Sequence, residues 1–293
     1  MKSRLKASES PAQAVRRVSR EHVDRALALL AQAHRPEGVH EVRKEIKRLR
    51  AIFRLARGSL RPKAYRKLAK MMRLAAKPLA ASRDARVTQK AFESLATAQT
   101  RPYPKLQTAL KAYRVHASRS FANQDSAALT RFLLKRIRAQ LADLEPAETG
   151  WAEIATGLKA CYSRGRNACA RARLKPDSDH LHEWRKQVKN LWYQLDFLCP
   201  AWPANTKQRL AGLAELGEQL GDEHDLELLE CFARGQAELS RESALLRPLI
   251  IARRARFVAR CRQLGARVYA DRPALFCGQL ERDWKAWRKR RAA

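Results

Sequence analysis

Between residues 39 and 57 the apolar positions Val39, Val42, Ile46, Leu49 and Phe53 advance in steps of three and four, which lays them along one face of a helix. A second set, His40, Arg43, Lys47, Arg50 and Arg54, follows the same steps one residue later. It forms its own stripe about 100° round the helix from the first. The same periodicity runs through most of the chain and is interrupted by Pro, Gly and Ser clusters. It predicts helices over 12–33, 38–57, 62–82, 84–98, 104–122, 127–143, 150–173, 179–198, 203–220, 223–240, 243–269 and 272–289. No strand pattern competes with these, and Ala, Leu and Arg outnumber β-branched residues, so the expected class is all-α.

The opening stretch recurs. A shift of 142 pairs His40 with His182, Glu41 with Glu183, Arg43 with Arg185, Lys44 with Lys186, Lys47 with Lys189 and Leu49 with Leu191. Further on, PLAASRDARV at 78–87 matches QLGDEHDLEL at 219–228 with a shift of 141, pairing Leu79 with Leu220 and Asp84 with Asp225. Two matches in the same order indicate a duplicated unit. The expected architecture is two tandem four-helix-bundle-like repeats, about 10–145 and 146–288, related by pseudo-twofold symmetry and joined by a linker near 144–150. Together they make a single domain over 10–288, and residues 1–9 are expected to form an N-terminal tail.

Charge sharpens this picture. The 293 residues carry a formal net charge of +32, which points to a polyanionic partner: nucleic acid, polyphosphate, an anionic glycan or an anionic membrane surface. The charge is also patterned. Residues 39–77 hold fourteen Lys or Arg against two acids, and a further row, Arg66, Lys70, Arg73 and Lys77, keeps helical spacing. A merely solvated face mixes signs, whereas these rows exclude one of them. The second copy places Asn190, Trp192 and Asp196 where the first has Arg48, Arg50 and Arg54. Compensation is available from Arg164, Arg166, Arg171 and Arg173, and from the row Arg253, Arg256, Arg260 and Arg267. The segment 211–230 has seven acids and no Lys or Arg, and is expected to neutralise internal arginines rather than to hold metal.

Other chemistry is thinly represented. Six cysteines lack any CxxC or zinc-like spacing and read as reduced, mostly buried thiols of a cytoplasmic protein. No apolar run approaches the roughly 20 residues of a membrane span. The basic first ten residues have no apolar segment behind them, so no secretory signal is expected. No Walker loop, nucleophile elbow or HExxH is present. His180 and His182, two apart on a helix, point away from each other. Asp84 and Asp225 read as helix starts or as partners for arginines. The expectation is a binding protein with no catalytic residue, metal or cofactor. A helical nucleic-acid-binding protein is the first alternative, and a polyphosphate-processing enzyme the second. Neighbouring cations lower a histidine pKa and a bound polyanion raises it, so affinity is expected to strengthen from pH 8 to pH 6 through His40 and His182.

The duplicated His-x-x-Arg-Lys-x-x-Lys-x-Leu, with the later SRD and EHD elements, resembles the CHAD family, the conserved histidine α-helical domain, over about residues 10–288. The resemblance implies two four-helix bundles that bind inorganic polyphosphate through a basic surface and a central cavity. No β-barrel pattern of a fused triphosphate-tunnel domain is visible, which suits a stand-alone member. Carried onto this chain, the resemblance gives His40, Arg43, Lys44, Lys47 and Arg50 as one anion-binding set and His182, Arg185, Lys186 and Lys189 as its partner. The basic rows of Arg54, of Arg66, Lys70, Arg73 and Lys77, and of Arg253, Arg256 and Arg260 extend the expected track. Association with polyphosphate granules or with regulation of phosphate metabolism follows as an expectation, with nucleic acid and other polyanions as weaker competitors.

Overall fold

The computed structural model describes residues 3–31, 36–96, 103–123, 126–142 and 150–292. The helices are α1 (Pro11–Ala31), α2 (Pro36–Leu55), α3 (Pro62–Ala76), α4 (Ala80–Ala96), α5 (Pro104–Asn123), α6 (Ser126–Ala142), α7 (Trp151–Leu174), α8 (Ser178–Leu198), α9 (Ala204–Arg234), α10 (Ser240–Val268) and α11 (Pro273–Ala292). Single 3₁₀ turns cover Ala56–Ser59, Cys199–Ala201 and Ala237–Leu239. Among the described residues there is no strand, as the periodicity implies.

Two boundaries differ from the sequence reading for stated reasons. Helix α3 stops at Ala76, short of the expected 82, because Pro78 has no N–H to continue the helical ladder and its ring crowds the preceding turn, although Lys77 itself keeps helical angles. The expected helices 203–220 and 223–240 are instead one helix of 31 residues, α9. The pair Leu220-Gly221 reads as a break, but a lone glycine without a following proline only weakens a helix. The first copy is thus broken by Pro78 at the place where the second runs straight through. The linker near 144–150 lies almost wholly outside the described residues.

Helices α1, α2, α3 and α6 pack around one another, and α7, α8, α9 and α10 do the same, with α11 against α7. The apolar stripe of α2 (Val39, Val42, Ile46, Leu49, Phe53) and that of α8 (Leu181, Trp184, Val188, Leu191) enter one continuous core. The two halves interlock. Helices α4 and α5 reach across to α9 and α10, where Phe92, Leu95, Leu106 and Leu110 bury a separate smaller core against Leu226, Leu229, Leu246 and Ile250. Helix α2 lies directly on α8, and the buried Gln194 amide donates to the Ala51 carbonyl at 3.0 Å.

Residues 3–9, expected as a tail, are held against this body. Leu5 is buried, its N–H donates to the Phe197 carbonyl at 2.9 Å, and Arg4 pairs with Asp196. Asp196 is one of the residues that replace arginines in the second copy, so its change of sign anchors the N-terminal segment.

Candidate functional site

A pocket of about 440 Å³ opens where α2, α4, α8 and α9 meet. Helix α2 contributes Arg43, Lys47, Arg50 and Arg54; α4 contributes Arg83 and Asp84; α9 contributes His224. The remainder comes from α8: His182, Glu183, Arg185, Lys186, Gln187, Lys189, Asn190 and Tyr193. The placement follows from the stripes. With the apolar face of each helix fixed in the core, the cationic face one residue along is turned toward the seam between α2 and α8.

Backbone spacing completes the arrangement. Gly217 and Gly221 stand one turn apart on α9, and their bare backbone is the bed for two of these cations. A methyl group at Gly217 would lie 3.0 Å from the Lys189 Nζ, and one at Gly221 3.2 Å from an Arg185 Nη. The side chains therefore lie across α9 with no slack.

Eight cations line the pocket, and most form no ion pair among the described residues, although Asp222 and Glu218 act on Arg185 and Lys189 from α9. Arg83 is committed: it pairs with Asp84 at 3.0 Å and with Asp225 at 2.8 Å. Lys186 pairs with Glu183 at 3.5 Å. Arg43, Lys47, Arg50, Arg54, Arg185 and Lys189 form no ion pair with any described residue. Arg43 donates to the Ala76 carbonyl at 3.3 Å, while the Nε atoms of Arg43 and Arg185 and the Nδ1 of His182 are buried without a hydrogen-bond partner. Like charges packed this closely give the pocket a strong positive field.

The titrating groups register that field. Desolvation, followed by the charges of Arg185, Arg43 and Arg83, lowers the Lys47 ammonium to about 7, although its side chain reaches solvent within the pocket. Lys189 is lowered in the same direction by burial and by Arg185. His182 is pushed down to about 4 by burial, by His224 and by Lys186, and His224 is lowered chiefly by burial. Their rings lie 4.4 Å apart, centroid to centroid. Both imidazoles are therefore neutral at ordinary pH.

Of the residues expected from the sequence, Arg43, Lys47, Arg50, Arg54, His182, Arg185, Lys186 and Lys189 meet in this pocket. His40 and Lys44 do not line it. His40 is exposed near the start of α2, with Arg86 the charge that acts on it most strongly, and Lys44 pairs with Glu41 at 3.1 Å. The row Arg66, Lys70, Arg73 and Lys77 is exposed outside the pocket, with Arg73 close enough to Arg50 to lower its pKa. The α10 row also lies outside. Arg253 sits over the Phe257 ring at 5.6 Å, Arg256 is exposed, and Arg260 pairs with Glu215. The arginine of α10 that turns inward is Arg254, which binds Glu223 and Glu230.

Of the seven acids in 211–230, Glu223, Asp225 and Glu230 take part-buried arginines, Glu215 takes the exposed Arg260, and Glu227 pairs with His224 at 3.0 Å. Asp84 and Asp225 partner Arg83 but open no helix, because both lie inside α4 and α9. Trp192, in the place of Arg50, faces a separate cavity of about 350 Å³, and Lys189 lies over its ring at 5.9 Å. The sequence pattern marks neither Arg83 nor Tyr193 as a site residue, and it offers His224 only as half of a His-Asp pair without further metal ligands. A signal existed for two of them: Arg83 and His224 occupy the same position of the SRD and EHD elements, at the shift of 141.

Comparison with known proteins bears on this geometry. The family model of the CHAD domain matches residues 13–234. The fold is similar to the crystal structure of the CHAD domain from the plant Ricinus communis, at 20% identity and a TM-score of 0.56 over 91% of this chain and 93% of that one. No curated protein matches the chain significantly.

Proposed function

The chain belongs to the CHAD domain family, and from that premise we propose that it binds inorganic polyphosphate, without transforming it, in the pocket between α2, α4, α8 and α9. The observation that carries this reading is the convergence of six cations free of ion pairs, drawn from both copies of one motif. A polyphosphate chain offers a charge at every unit and no bases to read. What it requires is point charges and guanidinium forks at short intervals, which Lys47, Lys189, Arg43, Arg50, Arg54 and Arg185 provide. Single-stranded nucleic acid calls for stacking platforms, whereas the one aromatic lining residue, Tyr193, is buried. Most carboxylates around the pocket serve as counter-ions, with Glu183 on Lys186, Asp84 and Asp225 on Arg83 and Glu223 on Arg254, while Asp222 and Glu218 act on Arg185 and Lys189 only through space, which supports binding rather than catalysis. A cytoplasmic role at polyphosphate granules or in phosphate metabolism accords with this reading.

The test is competition at physiological salt. Long-chain polyphosphate is expected to displace bound DNA at matched phosphate concentration, and DNA to fail in the reverse direction. Replacement of Arg43, Lys47, Arg185 and Lys189 by Gln is expected to abolish binding with helicity intact. Polyphosphate recovered after incubation with Mg²⁺ or Mn²⁺ is expected to keep its chain length; shortened chains would establish an enzyme instead.

A further inference from the structure

Helices α3 and α6 lie side by side, and the Thr130 hydroxyl donates to the Ala75 carbonyl at 3.2 Å. Their inner faces are buried through Leu68, Met72, Leu134 and Ile137. Their outer faces are unusual in two respects. α3 carries five Lys or Arg and α6 four, all exposed, and neither helix contains an Asp or Glu. Among the described residues, Arg138 alone of these nine is ion-paired, to Asp24 of α1.

The second respect is apolar. Leu74 of α3 is 43% exposed, and Leu129 and Phe132 of α6 are 50% and 55% exposed. Leu129 lies half a turn, and Phe132 a third of a turn, round α6 from Arg138, the residue that faces α1. Leu74 precedes Ala75, the residue bonded to Thr130, so the three apolar side chains gather at one level of the α3–α6 face. The Arg136 guanidinium lies over the Phe132 ring at 5.6 Å, and Lys67 and Lys70 follow along α3.

We propose that this α3–α6 face docks on an anionic phospholipid surface, with Leu74, Leu129 and Phe132 entering the headgroup–acyl boundary and the surrounding Lys and Arg side chains engaging headgroup phosphates. Amphipathic faces of this composition bind in the plane of a bilayer by burying apolar side chains, with basic residues snorkelling around them. The partner must be anionic, since a second copy of this face would set nine cations against nine. It must also have an apolar interior, for which polyphosphate and nucleic acid offer no counterpart to exposed aliphatic leucines. The proposal is independent of the pocket reading, because none of these residues lines the pocket.

The test uses the full chain with vesicles of phosphatidylglycerol and phosphatidylcholine in equal parts, and with phosphatidylcholine alone, while polyphosphate binding is measured in parallel. A net charge of +32 draws the chain to any anionic surface, so insertion rather than adsorption is read. In Phe132→Trp, the added tryptophan is expected to be quenched by brominated acyl chains beyond the wild-type background. Phe132→Ser and Leu129→Ser are each expected to lower partitioning onto the anionic vesicles by about three- to tenfold, with polyphosphate affinity unchanged. Replacing Arg43 and Lys47 by Gln is expected to leave partitioning as it was. An unquenched tryptophan, equal partitioning onto the two kinds of vesicle, or serine variants that partition like wild type would each overturn the proposal. So would serine variants that lose single-stranded DNA instead of vesicles, an outcome that assigns the face to nucleic acid. A wild-type chain that enters vesicles but ignores polyphosphate would overturn the pocket reading and leave this one standing.

Discussion

The Arg83 guanidinium donates to the Asp225 carboxylate at 2.8 Å, joining α4 to α9 across 142 positions of the chain. Asp225 belongs to the second copy of an element whose first copy contains Arg83 and Asp84, so each half supplies one partner of the bridge. Arg83 also lines the pocket. The pair therefore fastens the two halves together and holds a guanidinium in the pocket.

Substitutions of the two partners are expected to separate these roles. Asp225→Asn leaves Arg83 with Asp84 alone, so stability should fall by about 1–3 kcal/mol while polyphosphate affinity holds or rises. Arg83→Met should lower both. Chemical denaturation and fluorescence titration of the two variants check this. A parallel loss of affinity in Asp225→Asn would show that Asp84 alone does not keep Arg83 in place and that the bridge itself positions the guanidinium.

Gly221→Ala is expected to split stability from binding. Alanine in a helix interior gains about 0.5–1 kcal/mol over glycine, but its methyl group would stand 3.2 Å from an Arg185 Nη. Arg185 must move by a few tenths of an ångström, and affinity should fall by about three- to tenfold as the melting temperature rises. Calorimetry and a binding isotherm on the same preparation read both.

Periodicity was enough to read the helices, the stripes and the duplicated motif, because steps of three and four fix which side chains share a face. What it misses is where breaks fall and which helices cross over. Pro78 and Gly221 stand near matched positions of the two copies, but only the prolyl ring removes a donor and ends a helix. The α10 row was legible as a row, yet nothing in its spacing shows that α10 packs on α9 away from the pocket, with Arg260 tied to Glu215. Spacing alone does not show that Arg83 and His224, in the SRD and EHD elements, turn into the pocket. The cations expected to lower the histidines do so, but they are the smaller part of the effect. Burial, which a sequence does not display, takes His182 down to about 4 and out of the physiological range.

Lys47 is expected to carry the pH dependence of polyphosphate binding more than His182 does. Its ammonium in the free protein titrates near 7, lowered by burial and by Arg185, Arg43 and Arg83. A bound polyanion restores the charged form, so binding above pH 7 takes up a proton. Affinity should weaken by up to about tenfold per pH unit as pH rises above 7 and level off below it. Lys47→Arg, charged throughout, should flatten the curve between pH 6 and 8, whereas His182→Gln should leave its shape intact. Titrations at fixed salt decide between the two residues.

Acid stability should depend on Glu45, which lies buried between α1 and α2 and is held by His22 at 2.6 Å, by Arg25 at 3.0 Å and by Arg48. Burial alone would raise its carboxyl, but the hydrogen bonds and charges of these partners prevail and hold it at about 2. The unfolded chain protonates this group near 4.5, so its contribution is fully present above that pH and is lost as pH falls toward 2. A depression of this size corresponds to about 3 kcal/mol. His22, kept neutral chiefly by burial, works in the same direction below its ordinary value of 6.5. Glu45→Gln should therefore cost about 3 kcal/mol or more at pH 7, because it strands Arg25 and Arg48. The cost should shrink as pH falls from 5 to 2, where the wild-type carboxylate is itself being protonated. Urea denaturation of both proteins at intervals across that range is the measurement, and an offset that stays constant with pH would show that Glu45 is not the group titrating there.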